Sequence, residues 1–104
     1  MAQFDVHANG LGGEASGAPY LLLLQSDTLH ELATQVVAPL RPLEEIGRTI
    51  PRLHPILIVS DTRYALSTGE LAGISRRSLG PFVTNVDAQR DEILAAIDLL
   101  FFGI

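Results

Sequence analysis

The chain has no cysteine among its 104 residues, which excludes disulfides, thiolate metal sites and cysteine nucleophiles. It has no lysine either: its seven basic side chains are all arginine, set against twelve carboxylates for a net charge of −5. An acidic chain is a poor electrostatic match for a phosphate backbone, so direct nucleic-acid binding is not expected and a protein partner is favoured. Long apolar runs are missing too. The stretches "YLLLL" at Tyr20–Leu24 and "LLFFGI" at Leu99–Ile104 fall far short of the roughly 18 residues a membrane span needs, so no membrane role is expected. The opening "MAQFDVHANG" has no basic leader followed by an apolar core, and the expected location is the cytoplasm.

What is abundant is apolar side chain, at 47% of the residues. A chain of this length is expected to form one domain, residues 1–104, and a single small core will not hold that much apolar surface. The excess is expected to cover an interface, a homodimer in the first instance.

Along the chain, "QFDVH" alternates apolar Phe4 and Val6 with polar neighbours, the pattern of a strand with one wet face. "ANGLGGEASGAP" carries four glycines and no apolar period, so it reads as a loop. Its "GLGGEA" loosely matches a dinucleotide fingerprint, but that motif must open a helix, and here Pro19 and the strand-like "YLLLLQ" follow. "SDTLHELA" offers Ser26 or Asp27 as the cap of a helical turn, and "TQVVAPL" reads as a strand ended by Pro39. "RPLEEIGRTIPRL" is broken by prolines and reads as irregular. "HPILIVS" and "RYALST", separated by Asp61 and Thr62, form the clearest hairpin. "GELAGISRRSLGPFV" is turn-rich, with a short strand starting at Phe82.

The segment "NVDAQRDEILAAIDLLFFGI" is the one long helix, with Asn85 or Asp87 as cap, Asp91 and Glu92 in its first turn, and Gly103 placed to end it. The fold class expected is mainly β with one C-terminal helix, as a small antiparallel barrel or sheet. At about 100° per residue, Ile93, Leu94, Ile97, Leu100 and Phe101 share one face and should pack on the sheet. Phe102 falls opposite, beside Asp98 and Asp91, where solvent is expected. An aromatic there needs a role: it folds back, it packs in a dimer, or it anchors a tip of Phe102, Gly103 and Ile104 in a pocket of another protein. In the last case Gly103, lacking a side chain, lets the partner approach the backbone between two apolar anchors.

The blocks "QFDV", "LLLQSD", "VVAPL", "LHPILIVSDTRYALST" and "RDEILAAIDLLFFGI" together resemble the CcdB family of toxins from toxin–antitoxin modules, over nearly the whole chain and in family order. The resemblance implies an SH3-like barrel with a C-terminal helix, assembled as a homodimer. It implies a protein that is not an enzyme and needs no cofactor or metal. Such toxins bind the A subunit of DNA gyrase, trap the cleaved gyrase–DNA complex, and are neutralised by a CcdA-like antitoxin whose disordered segment wraps the toxin. Carried over by position, the gyrase-contacting tip falls on Phe102, Gly103 and Ile104 with Phe101 and Asp98 beside it, and a second patch falls on Thr28 and Leu29. The family's best-known poison has tryptophan, asparagine and isoleucine where this chain has Phe102, Asp98 and Thr28. Those departures leave open a homologue that binds antitoxin without poisoning gyrase.

The enzymatic rival is a ribonuclease of the MazF or Kid type, which shares this fold; His54, Asp61 and Arg63 are its nearest acid/base candidates. "HELAT" at His30 begins like a zinc-protease helix, but residue 34 is threonine where a second histidine is required. His7, His30 and His54 show no ligand spacing. The Arg76–Arg77 pair could meet phosphate or an acidic antitoxin segment, or simply face solvent.

Overall fold

A computed structural model of the chain describes the backbone of residues 1–104 and every side chain except those of residues 14 and 15. Seven strands, β1 (Asp5–Asn9), β2 (Tyr20–Leu23), β3 (Thr34–Pro42), β4 (Ile56–Val59), β5 (Thr62–Leu66), β6 (Ala72–Ser75) and β7 (Leu79–Asn85), precede one helix, α1 (Arg90–Phe102). All pairings are antiparallel, in the order β4-β5-β3-β2-β1-β7 with β6 also on β3. The architecture is a β half-barrel closed by a C-terminal helix, the class expected.

β3 is the spine. One edge pairs with β2; the other pairs with β6 over Thr34–Val37 and with β5 over Leu40–Pro42. Pro39, expected to end this strand, instead lies inside it, in register with Leu21. Its carbonyl accepts from Ser67 N at 2.9 Å, so its nitrogen also faces the edge where β6 gives way to β5. A missing N–H there breaks no ladder bond, which is the condition under which a strand tolerates proline.

β1 departs from its expected alternation. Phe4 and Val6 are in the core, but Asp5 and His7 are buried as well. The Asp5 carboxylate accepts from Ala2 N at 2.8 Å and Asn85 Nδ2 at 2.9 Å, which compensates its desolvation. His7 Nδ1 donates to Gly80 O at 2.9 Å, while its Nε2 is buried without a partner among the described residues. β1 and β7 come so close that a Cβ on Gly80 would lie 2.8 Å from Ala8 O, which only glycine permits. The apolar run of β2 has a similar origin: Leu22 joins the main core with Val6, Leu40, Leu57 and Ile93, whereas Leu21 and Leu23 join Val37 in a second cluster on the other face. Both faces of the central strands are covered, which absorbs part of the apolar excess.

The hairpin expected after His54 is present, and its turn is Ser60–Asp61, both at positive φ (51° and 63°), with Val59 opposite Thr62. That is the mirror-image turn whose twist matches a two-strand ribbon. β6 lies inside the stretch expected to be turns, and β7 begins at Leu79, three residues before Phe82.

Candidate functional site: the free end of the helix

α1 is held at its start. Phe4, a buried aromatic at the rare φ of 69°, receives Val86 N on its carbonyl (3.0 Å) and donates to Leu23 O (2.8 Å). The Arg90 guanidinium lies 5.6 Å above the Phe4 ring, a cation–π distance. Gln89 Nε2 donates to Ile56 O at 2.8 Å. Neither Asn85 nor Asp87 caps the helix directly: Asn85 Oδ1 accepts from Asp87 N (2.8 Å) and closes a 3₁₀ turn, Asp87–Gln89, that leads into α1.

Ile93 and Ala96 are fully buried, with Leu94 and Ile97 packed against the core. Beyond Ile97 the stripe fails. Leu100 is half-buried, and Phe101, expected on the sheet, is 58% exposed. The angular phase was right but phase carries no depth: thirteen residues span about 20 Å, and the last turns run past the sheet that could cover them. Phe102 and Ile104 are 72% and 74% exposed, and Asp98 lies in solvent one turn before Phe102. The two phenyl rings are 6.4 Å apart, tilted at 54°. Gly103 closes the helix in the left-handed region (φ 73°), donating its N–H to Leu99 O at 3.0 Å. A Cβ built on Gly103 would touch nothing, so within this chain its role is conformational.

Phe101, Phe102, Gly103 and Ile104 therefore form one exposed apolar tip with the Asp98 carboxylate beside it. Thr28 and Leu29 do not join them through any hydrogen bond or ion pair among the described residues. They sit on the 3₁₀ turn Asp27–Leu29, where Ser26 Oγ accepts from Thr28 N at 3.3 Å as the cap. Two glutamines, whose part the sequence did not betray, fasten this turn to β3. Gln25 Nε2 donates to Leu29 O (2.9 Å) while its Oε1 accepts from Val36 N (3.0 Å), and buried Gln35 donates to the His30 and Leu32 carbonyls. Leu29 and Leu32 are left about half exposed as a second apolar patch.

The acid/base candidates are dispersed. Asp61 and Arg63 are exposed at the turn of the β4–β5 hairpin, with His54 at its other end. His54 instead borders a groove of about 450 Å³ that also includes Thr49, Pro51, Arg52 and, from α1, Glu92. Ile50 N–H donates to His54 Nδ1 at 2.9 Å, which puts the proton of the neutral ring on Nε2. Among the described residues no three His, Asp or Glu side chains could hold a metal. His30 Nδ1 lies 2.6 Å from Asp27 O instead. Arg76 and Arg77 open a 3₁₀ turn capped by Ser75 Oγ, without an ion pair among the described residues. Among the described residues no helix is long and apolar enough to cross a membrane.

Solved structures share this fold. The Mycobacterium tuberculosis toxin MazF-mt6 superposes with a TM-score of 0.76 at 18% identity, covering 93% of this chain and 95% of that one. An endoribonuclease from a mycobacterial species in complex with its cognate antitoxin matches at 0.71 and 19% identity, over 96% and 93% of the two chains. A second mycobacterial endoribonuclease matches at 0.71 and 16%, over 96% and 89%. These likenesses correct one expectation. The chain was expected not to be an enzyme, yet its fold is one that endoribonucleases use, so exclusion of catalysis does not stand. At the level of sequence, the CcdB protein family model matches residues 3–103, nearly the full length, and this chain therefore belongs to the CcdB family.

Proposed function

We propose that this chain, as one domain over residues 1–104, is the toxin of a toxin–antitoxin pair. Its C-terminal tip binds the A subunit of DNA gyrase and traps the cleaved gyrase–DNA complex, and a CcdA-like antitoxin removes it. The observation that carries the reading is the exposure of Phe102 and Ile104 on either side of a left-handed glycine, on a helix anchored only at its other end. Exposed apolar groups cost solubility and are retained where a partner covers them. A tip of large aromatic and aliphatic side chains is suited to a central hot spot. Asp98 adds a carboxylate that pairs with a basic group on gyrase. Thr28 and Leu29 belong to a second contact patch, and the protein acts as a cytoplasmic homodimer that presents two tips.

The test is a gyrase cleavage assay on supercoiled DNA. The proposal expects protein-linked linear DNA to accumulate with the intact chain and not with Phe102→Ala. If no cleaved complex accumulates with the intact and folded chain, the homologue that binds antitoxin without poisoning gyrase takes its place.

One observation favours a second reading, RNA cleavage: the groove that collects Arg52, His54 and Glu92 offers a cation, an imidazole and a carboxylate in one cleft, the groups that phosphodiester transfer uses. Incubation of the purified chain with a long single-stranded RNA decides it. Cleavage lost in His54→Ala supports the reading, and intact RNA removes it.

A further inference from the structure

A second cavity, remote in sequence from the tip, is not used by any of the functions above. It has a volume of about 400 Å³, within the size range of small-ligand pockets, and is lined by Gly17, Pro19, Tyr20, Pro42, Glu45 and Tyr64. The two tyrosines flank β3, Tyr20 in register with Leu40 and Tyr64 with Pro42. Their rings meet edge to face, 5.3 Å between centroids at 89°. Burial, and then the neighbouring Tyr20, pushes the Tyr64 phenol up from its ordinary pKa, so the Tyr64 ring stays neutral at physiological pH.

The charges around the cavity are unequally satisfied. Arg41, on the same stretch of β3, is spent: its Nε and Nη2 donate to the two oxygens of Glu70 and its Nη1 donates to Ser16 O at 3.1 Å. The Glu45 carboxylate has no hydrogen bond and no ion pair among the described residues. Arg41 is its nearest cation, close enough that Glu45, after the hydrogen bond to Glu70, adds to the rise of the guanidinium pKa, but the Arg41 donors are directed at Glu70 and Ser16. Gly17, at φ +74°, passes so close that a Cβ would lie 3.2 Å from Arg41 Nη1 and 3.3 Å from Glu45 Oε2. The glycine keeps that corner of the cavity clear. A π face, two proline walls and an unpaired carboxylate are the elements that recognise a planar organic cation. Guanidinium suits them better than ammonium, because it stacks on an aromatic ring and donates in parallel to a carboxylate. The chain's net charge of −5 favours the approach of a basic partner.

We infer that this cavity is a docking site for an arginine side chain of a partner polypeptide, with the Glu45 carboxylate accepting from the guanidinium and the tyrosine rings and prolines enclosing its plane. The inference is independent of gyrase docking, since Glu45→Gln leaves the tip untouched.

Tyr20 and Tyr64 are the only tyrosines in the chain, and there is no tryptophan. Ring signals from ¹³C-tyrosine-labelled protein therefore report on this cavity alone. N-acetyl-arginine amide is titrated at constant ionic strength, in parallel with its uncharged isostere N-acetyl-citrulline amide. The expected result is saturable movement of both ring signals with the arginine compound and binding about tenfold weaker with citrulline. In Glu45→Gln, whose amide spectrum away from the cavity should be unchanged, arginine should bind at least about fivefold more weakly. Absence of saturable movement, equal response to the two compounds, or unchanged affinity in Glu45→Gln would each overturn the assignment.

Discussion

The two halves of α1 have similar apolar content and opposite surroundings. From Arg90 to Ile97 the helix is fixed by a cation–π contact, a glutamine bond to β4 and the burial of Ile93 and Ala96. From Asp98 to the glycine cap, Phe101 and Phe102 face solvent. On the proposed function, the difference separates stability and recognition along one element. The first half spends its apolar groups on the core. Under the proposed function the second keeps them for a partner, and Gly103 ends the helix in the left-handed region before the exposed Ile104. A binding surface carried on a helix rather than a loop keeps its geometry before the partner arrives, which lowers the ordering cost of association.

The largest expected effect lies in the first half. Ile93→Ala should cost about 2–5 kcal/mol of folding stability, the range for emptying a fully buried aliphatic site, measured by denaturant unfolding. If it cost no more than a surface change, Ile93 would not anchor the helix. In the second half the sign of the comparison reverses. Phe102→Ala should leave the unfolding midpoint within error and weaken gyrase binding by at least ~2 kcal/mol, whereas Phe102→Trp should hold or raise affinity. A large fall in stability with Phe102→Ala would make the ring structural and erase the contrast.

Gly103→Ala sharpens the comparison further. A methyl group has room within the chain, so the folding penalty should stay near the roughly 1 kcal/mol of a left-handed alanine. A greater loss in gyrase affinity would show the partner lying against the backbone there. The smallest effect lies away from the helix, in the Arg41–Glu70 pair. Hydrogen bonds from Arg41 first, and from Ser67, hold the Glu70 carboxyl below its ordinary 4.5, against an opposing push from burial. A depressed carboxyl stabilises the fold above the unfolded-state value and loses that contribution as pH falls through the folded one. Between neutral pH and about 5, Glu70→Gln should therefore cost up to about 1 kcal/mol, a partly exposed pair being screened. The difference from the parent chain should vanish at lower pH. A difference that persists there would place the effect in packing instead.

Much of this was legible in the chain. The helix, its glycine stop and the solvent-facing phase of Phe102 followed from period and capping, which are local properties. So did the β4–β5 hairpin. What escaped depends on neighbours distant in sequence. Pro39 lies within β3 because its nitrogen faces the edge where two partner strands exchange places, and no ladder bond there needs an N–H. Asp5 and His7 are buried because β1 is covered on both faces. β6, with Gly73 inside it, has weak local character and forms because β3 offers it an edge. Phe101 was placed in the core from angle alone, which cannot tell where the sheet ends. Within the site, Phe101 and Asp98 entered the tip only through the family resemblance, while Phe102, Gly103 and Ile104 were readable from the residues. The glutamine clamps under Leu29, the Arg52–His54–Glu92 groove and the tyrosine cavity were not, since each joins segments that only the fold brings together.

The most direct test of the tip as the docking element is calorimetric titration of the chain into the dimerisation fragment of the gyrase A subunit, beside a truncation lacking Phe102 to Ile104. The account predicts saturable binding by the intact chain and none by the truncation, with the two chains unfolding at nearly the same temperature. Equal binding by both, or no binding by an intact and folded chain, would contradict it.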